Sequence, residues 1–157
     1  MEVEVLIAAP PERIWPVCTD LRRWGEWSPE NQGGEWLDGA DGPALGVRFR
    51  GRQRHAATGE WETTSVIVLW DPLKEFVWAV GDVERPAATW RMLLETVAAG
   101  TLLHHQVQMG PGPSGTTRVI EQMPDREERI IARRLEEYRV GMRAVLDGIK
   151  AAVEHGR

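Results

Sequence analysis

Four histidines, His55, His104, His105 and His155, are the side chains suited to moving protons near neutral pH. Their spacing argues against a shared metal. His104 and His105 are adjacent, so on a strand they point to opposite faces, and His155 stands at the C-terminal end. His55 and His105 can share a face, but the strands expected to carry them lie four apart, on the order of 19 Å along a sheet at ~4.8 Å per strand. No metal and no cofactor is expected. The chain has no Gly-x-Ser-x-Gly elbow, no glycine-rich phosphate loop and no paired CxxC. Cys18 is the single cysteine, has no basic neighbour placed to ionise it, and reads as an inert residue of an apolar face. His105 is left as the one candidate for acid-base work. Around it in phase stand Gln53, Thr63, Ser65 and His55 among aromatic residues, a mixture that suits a pocket orienting a flat ligand. Cross-strand hydrogen bonds and internal water would use the same residues.

The composition is unusual in holding eight tryptophans against one tyrosine and two phenylalanines. Indoles fill cores, and they also line pockets where planar molecules stack. A net charge of -5 and a pI near 5.4 over 157 residues disfavour nucleic acid and anionic membranes, which need clustered positive charge. No apolar run approaches the ~20 residues of a membrane helix, and the N-terminus lacks the basic and apolar regions of a signal peptide. With a lone cysteine, the expected compartment is the cytoplasm. The size is that of a single domain over residues 1–157.

The elements that must position these groups are legible from periodicity. Val3, Val5 and Ile7 alternate with acids, as in a half-buried strand. A helix follows from Pro11, with Ile14, Trp15 and Cys18 turned inward and Pro16 expected to shorten or kink it. Leu21, Trp24 and Trp27 form a second short helix before Pro29. From Glu35 the period becomes two, and turn signals cut the chain into strands near 35–37, 46–56, 60–70, 74–80, 88–97 and 101–109. Gly110 to Gly115 reads as a linker-like loop. Asp125 with Glu128 forms a candidate capping box opening a helix to about Val153. Ile131, Leu135, Tyr138, Met142, Val145, Ile149 and Val153 make its apolar stripe, along about 43 Å at 1.5 Å per residue. Gly141 and Gly148, beside Ala144, Ala151 and Ala152, form a flank of small residues, either for close backbone packing or as a cavity wall.

Strand phase decides what faces inward. Arg48, Arg50, Arg52 and Arg54 share one face, and four arginines cannot share a core, so Phe49, Gly51, Gln53 and His55 face in. An odd-numbered turn at Gly59 sets Arg54 against Glu62 and turns Trp61, Thr63, Ser65 and Ile67 inward. The same counting brings Phe76, Trp78, Trp90, Met92 and His105 to the inner face, with His105 opposite Met92 across the turn at Ala98-Ala99. Val66, Val68, Trp70, Val77, Leu93 and Leu102 are then left outside, a patch that would favour a homodimer or another protein partner.

Ala9-Pro10-Pro11-Glu12-Arg13-Ile14-Trp15, followed by Asp20-Leu21-Arg22-Arg23-Trp24-Gly25-Glu26-Trp27, resembles the opening of the polyketide cyclase/dehydrase family within the START-like (SRPBCC) superfamily. Gly46-Val47-Arg48-Phe49-Arg50-Gly51 resembles the family's third strand and Thr89-Trp90-Arg91-Met92 its sixth. The resemblance implies an α+β helix-grip fold: a curved seven-stranded antiparallel sheet around a long C-terminal helix, with two short helices after the first strand. It also implies an internal cavity, and the inward set assigns Trp24, Phe49, Gln53, Trp61, Thr63, Ser65, Phe76, Trp78, Trp90, Met92, His105, Tyr138 and Met142 to its wall. The functional expectation is binding of a small hydrophobic or aromatic molecule or lipid. The alternative is a cyclase or dehydratase in which His105 moves a proton while Thr63 or Gln53 holds a carbonyl, although no matched second base is evident. The superfamily fold does not choose between them.

Overall fold

The computed structural model describes residues 1–156. In chain order the elements are β1 (Glu2–Ile7), α1 (Pro11–Cys18), α2 (Leu21–Trp27), β2 (Asn31–Trp36), β3 (Arg48–His55), β4 (Gly59–Asp71), β5 (Glu75–Val80), β6 (Ala88–Val97), β7 (Gly100–Met109), α3 (Gly115–Gln122) and α4 (Glu127–His155). The strands form one antiparallel sheet in the order β1-β7-β6-β5-β4-β3-β2. Hairpins account for every pairing from β2 to β7, and β1 closes onto β7 from the far end of the sequence. The sheet curls into a half-barrel that holds the 29-residue α4, with α1 and α2 packed against the helix. This is the expected helix-grip fold.

The alternation fixed by the arginine row holds through most of the sheet. Arg48, Arg52 and Arg54 are exposed, and Arg50 lies between Glu35 and Glu62 on the outer face. Inward, Phe49 faces Ser65, Ile67 faces Trp78, Trp78 faces Trp90, and Met92 faces His105. Two details of register differ. Arg54 pairs with Glu60, and Glu62 pairs with Arg52, because Gly59 at φ +77° closes the turn two residues tighter than expected. Between Ile67 and Leu69 the pairing with β5 slips by one residue. This bulge swings Trp70 to the inner face, 5.0 Å from Trp15 and 5.8 Å from Phe76 in ring centroids, so Trp70 does not belong to the outer apolar patch.

The helix ends also differ from expectation. Residues 124–126 form a 3-10 turn, which places Asp125 inside a helical turn; α4 starts at Glu127 with Arg126 at the cap position and no side-chain cap. The capping box occurs one helix earlier. Ser114 Oγ accepts from the Thr117 N–H at 3.1 Å, and the Ser114 N–H donates to Thr117 Oγ1 at 2.6 Å, opening α3 at the end of the expected 110–115 loop, in a stretch to which no element was assigned. β2 begins at Asn31, four residues before the expected strand, because Gly33 at φ +87° carries an irregularity in its pairing with β3. At the other end α4 stops on Gly156 in the left-handed region, whose N–H donates to the Ala152 carbonyl at 3.0 Å.

α4 runs along the outer edge of β1 and covers it. Arg143 donates to the Glu4 carbonyl and Lys150 to the Leu6 carbonyl, each at 2.7 Å, while the Ala8 N–H donates to Glu154 Oε1 at 2.8 Å. These groups occupy the unpaired backbone of an edge strand. Within α4, Met142, Val145, Leu146, Ile149 and Val153 are buried, whereas Ile131 and Leu135 are only half-buried. Leu146, which lies outside the expected stripe, is buried as well. Gly148 sits under Trp27: a Cβ there would lie 2.1 Å from the indole Cγ. The glycine exists so that the ring can lie on the helix backbone.

Candidate functional site

The inner face of the sheet carries a file of aromatic rings running the length of the interior. Phe76 lies 5.6 Å from Trp15 and 5.3 Å from Trp78, Trp78 is stacked on Trp90 at 6.1 Å with 8° between planes, and Trp90 meets Tyr138 edge-on at 5.0 Å. Trp24 of α2 closes over the file at 5.1 Å from Trp78, its indole N–H donating to the Cys18 carbonyl at 3.0 Å. Cross-strand pairing produces this file, since Phe76, Trp78 and Trp90 occupy successive inward positions of β5 and β6. Phe49 joins from β3, 6.4 Å from Trp78.

Polar side chains interrupt the file at two places. His105 lies against Trp90 at 5.4 Å and Trp78 at 6.2 Å, and neither ring nitrogen has a hydrogen-bond partner among the described residues. Burial disfavours its charged form and pushes its pKa down to about 3, so the imidazole is neutral at physiological pH. Gln53 donates through Nε2 to Thr63 Oγ1 at 3.3 Å, and its buried Oε1 has no partner. Gly51, between these two on the inner face, leaves the room for them: a Cβ there would approach Gln53 Nε2 to 2.9 Å.

Beyond Tyr138 the interior ends in a charged collar. Arg134 lies over the Tyr138 ring, 4.2 Å from its centroid, and grips Glu30 with two hydrogen bonds of 2.7 and 2.5 Å. Arg134 also donates to Glu137 at 3.0 Å, and Glu137 lies 3.5 Å from His55 Nε2. Burial opposes the charge of Arg134, but the hydrogen bond and charge of Glu30, with Tyr138 beside it, outweigh that and hold its pKa above the ordinary value. Burial works against the Glu137 carboxylate too, and its bonds from Arg134 and Arg133 prevail, leaving its pKa lowered. The collar ties the segment before β2, the end of β3 and the first half of α4 together at one mouth of the fold.

Of the expected wall residues, Trp24, Phe49, Ser65, Phe76, Trp78, Met92, His105 and Met142 are buried, and Gln53, Trp61, Thr63, Trp90 and Tyr138 are half-buried. Two depressions open on the surface, of about 790 and 280 Å³, and neither is lined by any of these residues. The larger runs from the outer face, at Val77 and Arg91, to Ile131 and Leu135 of α4. Inside, the aromatic rings rest on one another. Cys18 is buried with its thiol pKa raised by burial, in keeping with an inert residue.

A family model described as polyketide cyclase/dehydrase and lipid transport matches residues 1–154. The chain belongs to this family. A polyketide-cyclase-like protein of Corynebacterium glutamicum, known from a solution structure, is 29% identical, with a TM-score of 0.65 over 99% of this chain and 93% of that one. The di-domain ARO/CYC StfQ of the steffimycin biosynthetic pathway superposes with a TM-score of 0.74 at 16% identity, over 99% of this chain and 50% of StfQ. An AHSA1-like protein of Aeromonas hydrophila gives 0.65 at 12% identity, covering 99% and 95% of the two chains. The last two likenesses concern the fold. No curated protein matches the sequence. For this cyclase/dehydrase-family chain, Glu30 and Arg134, which flank the expected Tyr138, are residues that sequence reasoning missed. Glu30 and Arg134 are 104 residues apart, and only the Arg134–Glu137 spacing on α4 gave any signal.

Proposed function

We propose that the protein binds a small hydrophobic or aromatic molecule between the concave face of the sheet and α4, and acts as a carrier or sensor for it. The observation that carries this reading is the pair of buried polar side chains without partners, His105 and the Gln53 carbonyl, set in an otherwise aromatic layer. A buried polar atom without a partner is destabilising, and a ligand that stacks on the indoles while offering a hydroxyl or carbonyl would satisfy it. The rings that now rest on one another would part to admit it. The family description, which spans both polyketide chemistry and lipid transport, supports the same class of ligand.

A cyclase or dehydratase in the same interior is the second reading, favoured by the cyclase/dehydrase half of the family description. It fits less well, because a general base works best with a pKa near the operating pH, and a ring held near 3 is a poor proton acceptor at neutrality. The rings in contact with His105 are Trp78 and Trp90, neither of which titrates.

Titration with a hydroxyanthraquinone, read by tryptophan quenching, tests the proposal. Saturable quenching is expected in the wild type, with binding about 3–10-fold weaker in His105→Leu, the loss of roughly one hydrogen bond. Quenching that never saturates would overturn the binding reading. Turnover of a polyketone substrate that collapses in His105→Leu while hydroxyanthraquinone affinity stays unchanged would instead establish the cyclase.

A further inference from the structure

On the outer face of the sheet, away from the aromatic file, carboxylates surround a histidine. His104 of β7 pairs directly with Glu4 of β1, and Glu2 stands two residues earlier on the same face of that strand. His104 is only 8% exposed. Its Nδ1 lies 2.6 Å from Glu2 Oε1 and 3.4 Å from Glu4 Oε2, and the donor atoms of the three residues all fall within 4.8 Å of one another. Across the ring, Nε2 has no hydrogen-bond partner and faces Glu95 Oε2 of β6 at 3.5 Å.

We propose that Glu2, Glu4 and His104 bind a divalent transition-metal cation of the zinc or manganese class, which pins the edge strand β1 to β7. One imidazole nitrogen with carboxylate oxygens is a donor set for such ions, whereas calcium and magnesium take oxygen alone. Three protein ligands leave a position for water.

Two arrangements outside the donor set point the same way. In the metal-free protein Nδ1 and Glu2 Oε1 share a proton at 2.6 Å; on metal binding the ring would carry its proton on Nε2, toward Glu95 at 3.5 Å, leaving the Nδ1 lone pair for the ion in the carboxylate–histidine–metal pattern. Gln106 donates to Glu2 Oε2 at 2.8 Å and itself accepts from Arg91 at 3.2 Å, so the other oxygen of Glu2 is turned toward the ring. The carboxylates outnumber the cations that reach them: Glu2, Glu4 and Glu95 face a single imidazole, Arg91, which reaches them through Gln106, is bound to Glu75 at 2.6 Å, and Arg143 is held on the Glu4 backbone carbonyl at 2.7 Å. Donors on one tetrahedral zinc sit about 3.3 Å apart, given metal–ligand distances near 2.0 Å. Glu2, being exposed, has to withdraw by less than about 1 Å to admit the ion.

The test uses the full, tag-free chain, stripped with a chelator and titrated calorimetrically with Zn2+, Mn2+ and Mg2+ in turn. One equivalent of Zn2+ or Mn2+ is expected at micromolar affinity, with Mg2+ far weaker. Glu2→Gln and Glu4→Gln, at exposed positions that leave the fold intact, should each weaken binding by about tenfold or more. Amide exchange in β1 should slow on metal addition in the wild type and not in the double variant. The proposal is overturned by no saturable binding below millimolar metal, by Mg2+ binding as well as Zn2+, or by zinc affinity unchanged in the double variant, which would assign the ion to other groups such as His155.

Discussion

Among the described residues His105 has no hydrogen-bond partner for either ring nitrogen, and burial takes its pKa to about 3 from an ordinary 6.5. Below pH 6.5 the unfolded chain therefore binds a proton that the folded protein refuses. The stabilisation associated with the neutral ring is intact above the unfolded pKa and is lost as the pH falls from about 6.5 toward 3. Between pH 7 and pH 5 that loss is about 2 kcal/mol. Urea denaturation of the wild type and His105→Leu at both pH values isolates it, because the other histidines contribute equally to both proteins. A stability difference independent of pH would show that the ring is solvated or protonated in the fold. The position of this residue was legible in the sequence, since counting across Ala98-Ala99 sets it opposite Met92, as found. Its lack of partners was not, because that depends on what the side chains packed around it fail to offer.

The two glycines of α4 look equivalent in sequence, seven residues apart on one flank. Their surroundings separate them. A Cβ at Gly148 meets the Trp27 indole at 2.1 Å, while at Gly141 the nearest atoms are Ser28 Oγ at 3.9 Å and Pro29 Cδ at 4.0 Å. Gly148→Ala should therefore destabilise by about 1–3 kcal/mol through overpacking. Gly141→Ala should stabilise by about 1 kcal/mol, the propensity difference. Thermal or denaturant unfolding of the two variants reads both, and changes of the same sign would refute the assignment. Helix stripes and strand phase were legible because burial repeats with a fixed period. The bulge at Ile67–Leu69 was not, since a one-residue slip leaves no compositional mark, and α3 was hidden because its capping box, Ser114 with Thr117, directly follows glycines and prolines that read as loop.

At the scale of the whole molecule, the fold class was legible from the order of elements, while the contacts that close it were not. The sheet has a covered edge at β1, where Arg143 and Lys150 occupy the carbonyls of Glu4 and Leu6. Free edge carbonyls are templates for pairing with another chain. The double variant Arg143→Ala/Lys150→Ala should stay folded by circular dichroism yet self-associate faster on warming, followed by light scattering. Unchanged scattering would mean that α4 shields the strand by bulk alone.

The same contacts span 139 and 144 residues of sequence, and β1 pairs with a strand about a hundred residues away. On the ribosome β1 is made well before its covering helix. At about 5–20 residues per second, roughly seven to thirty seconds separate the two. During that interval the hairpins from β2 to β7 can form locally, and β1 has no neighbour until β7 is complete. β1 therefore waits unpaired for a strand about a hundred residues away, and its outer edge stays open until α4 follows; closure of the sheet is a late folding event because of this sequence separation.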